Sequence, residues 1–181
     1  MEQYIHRWTK LVQKLRTKYL NPVGKICVKI GLSANFMTAI SLFFGVVAVY
    51  YLFSDHRMFL ILGLLHLIAD GLDGVIARVS KETIFGKYFD YFTDRLIMVL
   101  ILLKVGIVLG ELYAFVALSV AVLAQIVHIW SKMQSPILFT RTWLLFFMAV
   151  QLPIVGYLVT GVGAVYVLAR QLQWVVEKHK G

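Results

Sequence analysis

Long stretches without a charged residue dominate this chain of 181 residues. Residues 30–54, 112–131 and 142–169 carry no Asp, Glu, Lys or Arg. About 20 apolar residues in a helix cross the roughly 30 Å hydrocarbon layer of a bilayer. With 60% hydrophobic and only 15% charged residues, the chain has more apolar surface than a soluble globule can bury. The sequence therefore predicts an all-α integral membrane protein, and it excludes a soluble or a disordered one.

Six transmembrane helices account for the charge pattern. Residues 142–169 are too long for one span, so we expect two spans there, with a turn near Thr160 and Gly161. Arg141 must then lie inside the first of these two helices and Arg170 inside the second. Six spans put both termini and most basic loop residues on the cytoplasmic side of the cell membrane, as the positive-inside rule requires.

The first 30 residues carry seven Lys or Arg against a single acid. Apolar residues recur at helical spacing through residues 4–19, which predicts an amphipathic helix lying in the membrane interface. A cytoplasmic helix packed on the membrane domain is the alternative, and Asn21 and Pro22 should end either one. We divide the chain into a juxtamembrane segment, residues 1–30, and a six-span membrane domain, residues 31–181. Such basic charge fits anionic lipids, and no nucleic-acid partner is expected.

Four of the nine acidic residues fall within 25 positions: Asp70, Asp73, Asp90 and Asp94. Asp70 and Asp73 are three residues apart and share a helix face, which small residues continue. Asp90 and Asp94 are four residues apart and share a face of the next helix. A short link over residues 80–83 makes the two helices an antiparallel pair. We therefore expect all four carboxylates to lie at the same, cytoplasmic depth.

Carboxylates crowded in this way need cations. Two charges about 4 Å apart repel by about 4 kcal/mol at an effective dielectric constant of 20. Ligands that offer only oxygen suit Mg²⁺ or Mn²⁺, and two such ions could share a phosphate-bearing substrate. One alternative is that Arg78, Lys87 and Arg95 neutralise the acids as a structural network. Another is a transporter in which the acids line a path for divalent cations or protons.

The acidic residues belong to a longer motif. It runs Asp70-Gly-Leu-Asp73-Gly74-Val-Ile-Ala77-Arg78, then seven residues, then Gly86-Lys-Tyr-Phe-Asp90-Tyr-Phe-Thr-Asp94. This motif resembles the signature of the CDP-alcohol phosphotransferases at every fixed position. Upstream, Asn35 and Thr38 resemble the Pro-Asn-x-x-Thr element that opens the first span of that family, with Ala34 in place of the usual Pro.

The resemblance implies an activity and a site. Family members transfer a substituted phosphoryl group from a CDP-alcohol, usually CDP-diacylglycerol or its ether counterpart, to an acceptor alcohol, and CMP leaves. By resemblance, Asp70, Asp73 and Asp90 hold two divalent ions, and Asp94 is the general base or a further metal ligand. A homodimer is also implied. The residues expected to bind the CDP moiety are Asn35, Thr38, Asp70, Asp73, Gly74, Ala77, Arg78 and Gly86.

The acceptor is expected to be a small polar alcohol. Lys132, Arg141 and Arg170 lie near the cytoplasmic ends of the last spans, at offsets that resemble basic residues of the inositol-phosphate-using branch of the family. The Thr93-Asp94-Arg95 triplet also resembles phosphatidylinositol synthases. Inositol or inositol phosphate is therefore the expected acceptor, with glycerol 3-phosphate as the alternative. Lys132 and Arg141 could instead be ordinary loop charges.

Two further polar residues lie in apolar stretches. Lys104 falls within the third expected span, where it must reach the interface or find a partner. His66 lies one turn before Asp70, and we expect it to pack or form hydrogen bonds rather than ligate a metal.

Overall fold

The computed structural model describes residues 19–80, 83–131 and 140–180, and the regular secondary structure in these ranges is entirely helical. This confirms the predicted all-α class. Helix α1 covers residues 19–29 of the described chain. The others are α2 (Ala34–Tyr51), α3 (His56–Val79), α4 (Ile84–Leu109), α5 (Leu112–Ser131), α6 (Thr140–Ala149) and α7 (Pro153–Lys180).

Polar side chains fix where three of these helices begin. The Ser33 hydroxyl accepts a hydrogen bond from the amide of Phe36 at 3.2 Å, and the Thr83 hydroxyl accepts one from the amide of Gly86 at 3.0 Å. The Asp55 carboxylate accepts bonds from two amides of the first turn of α3, at 3.0 and 3.1 Å. Such N-caps satisfy amides that have no partner within the helix. The link between α3 and α4 therefore falls where the sequence predicted it.

Four described helices are long and apolar enough to cross a membrane. They contain the segments Ala34–Tyr51, His56–Val79, Leu112–Ile129 and Pro153–Val176. Helix α6 has only 10 residues. Helix α4 is long, but it carries charged residues near its start and Lys104 near its end. These findings agree with a membrane protein, while the count of six spans stays a prediction.

The predicted turn near Thr160 and Gly161 is wrong. The chain turns at residues 150–152, where Gln151 has a φ of 59°. Thr160 and Gly161 lie inside α7. The physical reason is Pro153, which is the first residue of α7, where its fixed φ suits the helix and its missing amide hydrogen costs nothing. Gly161 serves packing instead, because a Cβ there would lie 3.2 Å from the Cβ of Ala117 on α5.

The chain divides into two compact units, of which the first comprises the chain up to Gly45 together with Leu64–Thr93. Its apolar core contains Met37, Ala69 and Ile76. Helix α1 packs on α3 in this unit, because a Cβ at Gly24 would lie 2.9 Å from atoms of two α3 valines. The unit thus holds α1, the start of α2, the end of α3 and the start of α4.

The expected helix end at Asn21 and Pro22 is also wrong, since residues 19–29 are continuously helical. The packing of Gly24 against α3 stabilises the helix beyond the proline. The predicted amphipathic helix, residues 4–19, lies outside the described residues except for Tyr19. The division of the chain at residue 30 stays a prediction.

The second unit comprises Val46–Gly63 and Asp94–Gly181. Helix α5 packs against α7, and four small residues at helical spacing are buried on it: Ala114, Ala117, Ala121 and Ala124. Small residues allow the backbones of membrane helices to approach closely. Lys104 finds a partner within this unit, because its ammonium group donates to the carbonyl oxygens of Val49, at 2.8 Å, and Tyr50. These carbonyls lie in the last turn of α2, where fewer backbone amides are available to them, and that of Val49 also accepts a bond from the amide of Leu52, at 3.2 Å.

Candidate active site

An open cavity of about 470 Å³ lies in the first unit. The beginning of α2, the end of α3 and the beginning of α4 form its walls. Seven of its lining residues were predicted from the motif: Asn35, Thr38, Asp73, Gly74, Ala77, Arg78 and Gly86. Asp90 lines it as well. The remaining lining residues are Val28, Gly31, Leu32, Ser33, Ala34, Ser80 and Thr83.

Asp73 is the most enclosed acid of the cavity, with 4% of its surface exposed. The hydroxyl of Thr38 donates a hydrogen bond to its Oδ2 at 2.8 Å. Thr38 is itself 3% exposed, and its hydroxyl also lies 3.1 Å from the carbonyl oxygen of Ala34, one turn earlier in α2. This contact joins the Asn-x-x-Thr element of α2 to the acidic motif of α3, and it fixes the direction in which the Asp73 carboxylate points.

Asp70 and Asp90 bring a carboxylate oxygen each to within 4.8 Å of one another, from neighbouring helices. Asp70 is half-buried and Asp90 is exposed. Carboxylate oxygens are the ligands that hard divalent cations such as Mg²⁺ prefer, so two acids brought together from neighbouring helices are candidates to hold such an ion. Asp94 follows Asp90 by one turn of α4.

The two motif glycines have different surroundings. A Cβ at Gly74 would meet no atom within 4 Å, so helix packing does not require glycine there, although the residue lines the cavity. A Cβ at Gly86 would lie 2.5 Å from the Oδ1 of Asn35 and 3.0 Å from the Oγ1 of Thr83. Gly86 therefore allows the start of α2 to approach the start of α4, in addition to any contact with a ligand.

Asp94 pairs with Arg141 inside the second unit. The guanidinium Nη1 of Arg141 donates a hydrogen bond to Oδ1 of Asp94. Arg141 lies in α6 and is 8% exposed. A loop charge would be solvated and unpaired, so that interpretation of Arg141 is wrong.

Of the other two residues predicted to bind the acceptor, one is described. Arg170 lies on α7, is exposed, and makes no hydrogen bond or ion pair with another described residue. Lys132 lies outside the described residues. Among the described residues, the structure thus brings the predicted basic residue Arg141 to the motif acid Asp94.

Sequence analysis missed several polar residues of the cavity. Ser33 and Thr83 line it and also cap the helices that begin there. A Ser or Thr just before an expected helix is a readable N-cap signal, and both could have been found in this way. Ser80 lines the cavity too, and its hydroxyl donates to the carbonyl of Ile76 at 2.8 Å.

Comparison with known proteins identifies the family of the chain. The sequence model of the CDP-alcohol phosphatidyltransferase family matches residues 32–176, and the chain belongs to this family. It is therefore a membrane-bound transferase of phospholipid biosynthesis, as the motif predicted. Membership of a transferase family favours the enzyme over the alternative interpretation of the acids, a cation transporter.

A solved structure shares the fold. The chain resembles the phosphatidylinositol phosphate synthase PgsA1 of Mycobacterium tuberculosis, crystallised with CDP-DAG bound, with a TM-score of 0.70 and 14% sequence identity. The likeness covers 86% of this chain and 92% of that one. A comparison with curated proteins gives no significant match.

Proposed function

We propose that this enzyme transfers a phosphatidyl-type group from a CDP-lipid, such as CDP-diacylglycerol or its ether analogue, to a small polar alcohol and releases CMP. The observation that supports this most directly is the cavity of the first unit. It gathers seven of the eight residues expected to bind the CDP moiety, Asp73 among them, together with Asp90. The same unit brings Asp70 close to Asp90.

Two divalent cations, Mg²⁺ or Mn²⁺, would be held by Asp70, Asp73 and Asp90. When bound, they would neutralise charge on the diphosphate and on the departing CMP. The protein contributes position: Thr38 orients the Asp73 carboxylate, and Arg78 at the exposed side of the cavity offers a cation to phosphate oxygens. Phosphoryl transfer depends mainly on such positioning and electrostatics.

The transfer itself balances without a further reactant. The acceptor hydroxyl oxygen attacks the phosphorus that carries the lipid alcohol, the bond from this phosphorus to the CMP oxygen breaks, and CMP leaves. Asp94 takes the proton of the attacking hydroxyl as general base. In the competing role Asp94 is a further metal ligand, and its replacement by Asn would then lower the affinity for Mn²⁺.

Inositol or inositol phosphate is the proposed acceptor, with glycerol 3-phosphate as the alternative. Arg141 supports an acceptor that carries phosphate, because a buried guanidinium beside the proposed base can form bidentate bonds with phosphate oxygens. We propose that Lys132 and Arg170 complete this acceptor site. We also propose a homodimer in the cell membrane, with both termini and the active site on the cytoplasmic side, where CDP and soluble acceptors are available.

The experiment is a direct assay of CMP formation. The purified full-length chain is incubated in lipid nanodiscs with CDP-diacylglycerol, Mn²⁺ or Mg²⁺, and one acceptor at a time: inositol, inositol phosphate, glycerol 3-phosphate or serine. We expect CMP only with metal and with one acceptor class.

Asp73→Asn tests the site, and Asp55→Asn is its matched control. Asp55 is an exposed N-cap outside the cavity, where Asn caps equally well. Asp73→Asn should abolish CMP formation and Asp55→Asn should preserve it. CMP formation by Asp73→Asn at the wild-type rate would refute the proposal.

A further inference from the structure

A second polar contact joins α2 to α3 within the first unit. The hydroxyl of Ser41 lies 2.9 Å from Nδ1 of His66, and the same nitrogen lies 2.9 Å from the carbonyl oxygen of Ser41. The Ser41 hydroxyl also donates to the carbonyl oxygen of His66, at 3.2 Å. Both side chains are completely buried.

The contacts are reciprocal when the histidine proton is assigned to Nδ1. The ring N–H then donates to the Ser41 carbonyl, and the Ser41 hydroxyl donates to the His66 carbonyl. Each side chain thereby bonds to the backbone of the opposite helix. Because backbone atoms take part on both sides, the contact fixes the helices themselves and not only two side chains.

The pair is in register with the acidic motif. His66 lies one turn before Asp70 and about two turns before Asp73 on α3, so the three share a helix face. Ser41 lies three residues after Thr38 on α2, and Thr38 holds Asp73. Two hydrogen-bonded contacts, about two turns apart along α3, therefore connect the same two helices.

Two contacts between α2 and α3 fix the rotation of α3 relative to α2, whereas a single contact leaves this rotation free. The Thr38 contact alone would hold Asp73, but it would let α3 rotate about that point and turn Asp70 away. The core residues of this unit, including Met37, Ala69 and Ile76, are apolar and pack without strong directional preference. Burying a hydroxyl and an imidazole is unfavourable unless both are hydrogen-bonded, so the pair favours one arrangement of the helices.

We propose that Ser41 and His66 are positioning residues, which fix the rotation of α3 so that Asp70 and Asp73 face the same metal site. This inference rests on the proposed metal role of the two acids. In this role His66 does not contact substrate or metal. Its side chain acts through the hydrogen bond of Nδ1. Substitutions that keep or remove this bond therefore separate it from other roles of histidine.

The test measures Mn²⁺ binding directly, by the EPR signal of free Mn²⁺, on the purified full-length protein. His66→Leu and Ser41→Ala each remove the contact, and we expect each to weaken Mn²⁺ binding about tenfold, as changes to groups behind metal ligands do. His66→Asn places an amide N–H near the Nδ1 position and should restore binding to within about threefold of wild type. The double variant Ser41→Ala/His66→Leu should be no weaker than either single variant, because the two residues act as a unit.

Thr160→Val is the matched control. It also removes a completely buried hydroxyl from a helix, one that bonds to the Gly156 carbonyl at 2.8 Å in the second unit. We expect it to leave Mn²⁺ binding unchanged, even if it lowers the melting temperature. A His66→Leu variant that binds Mn²⁺ like wild type would overturn the proposal, whatever its melting temperature. A His66→Asn variant as weak as His66→Leu would overturn it too, since the imidazole ring itself would then be needed.

Asp70→Asn, measured in the same way, separates this inference from the proposed function. If Asp70→Asn weakens Mn²⁺ binding and His66→Leu does not, only the positioning role is wrong. If Asp70→Asn binds Mn²⁺ like wild type, the metal role of the acids is wrong, and the positioning proposal falls with it.

Discussion

Arg141 of α6 donates a hydrogen bond to the carboxylate of Asp94 on α4, across 47 positions of sequence. The proposed general base and a proposed acceptor-binding residue thus form one ion pair. An acceptor phosphate that binds Arg141 would bring its own hydroxyl group near Asp94. Removing Asp94 would leave the buried guanidinium of Arg141 without this partner, which is unfavourable. Conservative substitutions are therefore needed to separate their roles.

Asp94→Asn should block chemistry and spare binding. The asparagine oxygen can still accept the Arg141 hydrogen bond, but it cannot take a proton from the acceptor. We expect CMP formation to fall by about 10²- to 10⁴-fold, the usual contribution of a general base. Binding of Mn²⁺ and of CDP-diacylglycerol should stay within about twofold of wild type. A loss of Mn²⁺ affinity comparable to that of Asp73→Asn would show that Asp94 is a metal ligand instead.

Arg141→Gln should act on the acceptor. Losing a charged hydrogen bond to phosphate costs about 1.5–3 kcal/mol, which corresponds to a KM increase of more than tenfold for a phosphorylated acceptor. The KM for CDP-diacylglycerol should change by less than twofold. Arg57→Gln, which removes an exposed charge at the start of α3, is the control and should change neither constant. Equal increases in both KM values for Arg141→Gln would contradict an acceptor site at Arg141.

Arg170→Ala extends the same measurement to α7. If Arg170 completes the acceptor site, its removal should also raise the acceptor KM, and by less than the Arg141 substitution, because its side chain is exposed. The measurement is the same steady-state assay with the acceptor concentration varied. An acceptor KM equal to that of wild type would remove Arg170 from the site.

Thr38→Val and Thr38→Ser test the contact that holds Asp73. Valine keeps the shape and loses the hydroxyl, so the Asp73 carboxylate loses a hydrogen bond of 2.8 Å. We expect Thr38→Val to weaken Mn²⁺ binding about tenfold and Thr38→Ser to preserve it. Metal titration of the two variants measures this. Equal Mn²⁺ affinity of Thr38→Val and wild type would show that the hydroxyl does not orient the carboxylate.

The two motif glycines should respond differently to alanine. At Gly74 the new methyl group meets no protein atom, and alanine favours a helix interior over glycine by up to about 1 kcal/mol. Gly74→Ala should therefore keep or raise the melting temperature while it weakens binding of the CDP-lipid. Gly86→Ala places its methyl group against Asn35 and should lower the melting temperature. A Gly74→Ala variant with a lowered melting temperature and normal binding of the CDP-lipid would show that Gly74 serves helix packing and not ligand binding.

Local chemistry made much of this arrangement predictable. The motif spacing placed the small residues and acids of α3 and α4 on shared faces, and the link at residues 80–83 follows from the end of one apolar pattern and the Thr83 cap. The bounds of α5 also agree with the uncharged stretch that predicted them. Such features depend on residues near in sequence.

Tertiary contacts explain what was missed. Gly161 looked like a turn residue, and only its approach to Ala117 shows that it serves packing. The pairing of Arg141 with Asp94 and the bond of Lys104 to the end of α2 join distant parts of the chain, and no local pattern encodes them. The polar contacts of Ser41 and Thr38 with α3 are of the same kind.

The proposed function requires that the acids of α3 and α4 form a divalent metal site. Mn²⁺ titration of the purified protein, followed by EPR, tests it most directly, with Asp70→Asn, Asp73→Asn and Asp90→Asn set beside the control Asp55→Asn. We predict at least a tenfold loss of Mn²⁺ affinity in each of the three site variants and none in the control. Wild-type Mn²⁺ affinity in all three would contradict the account.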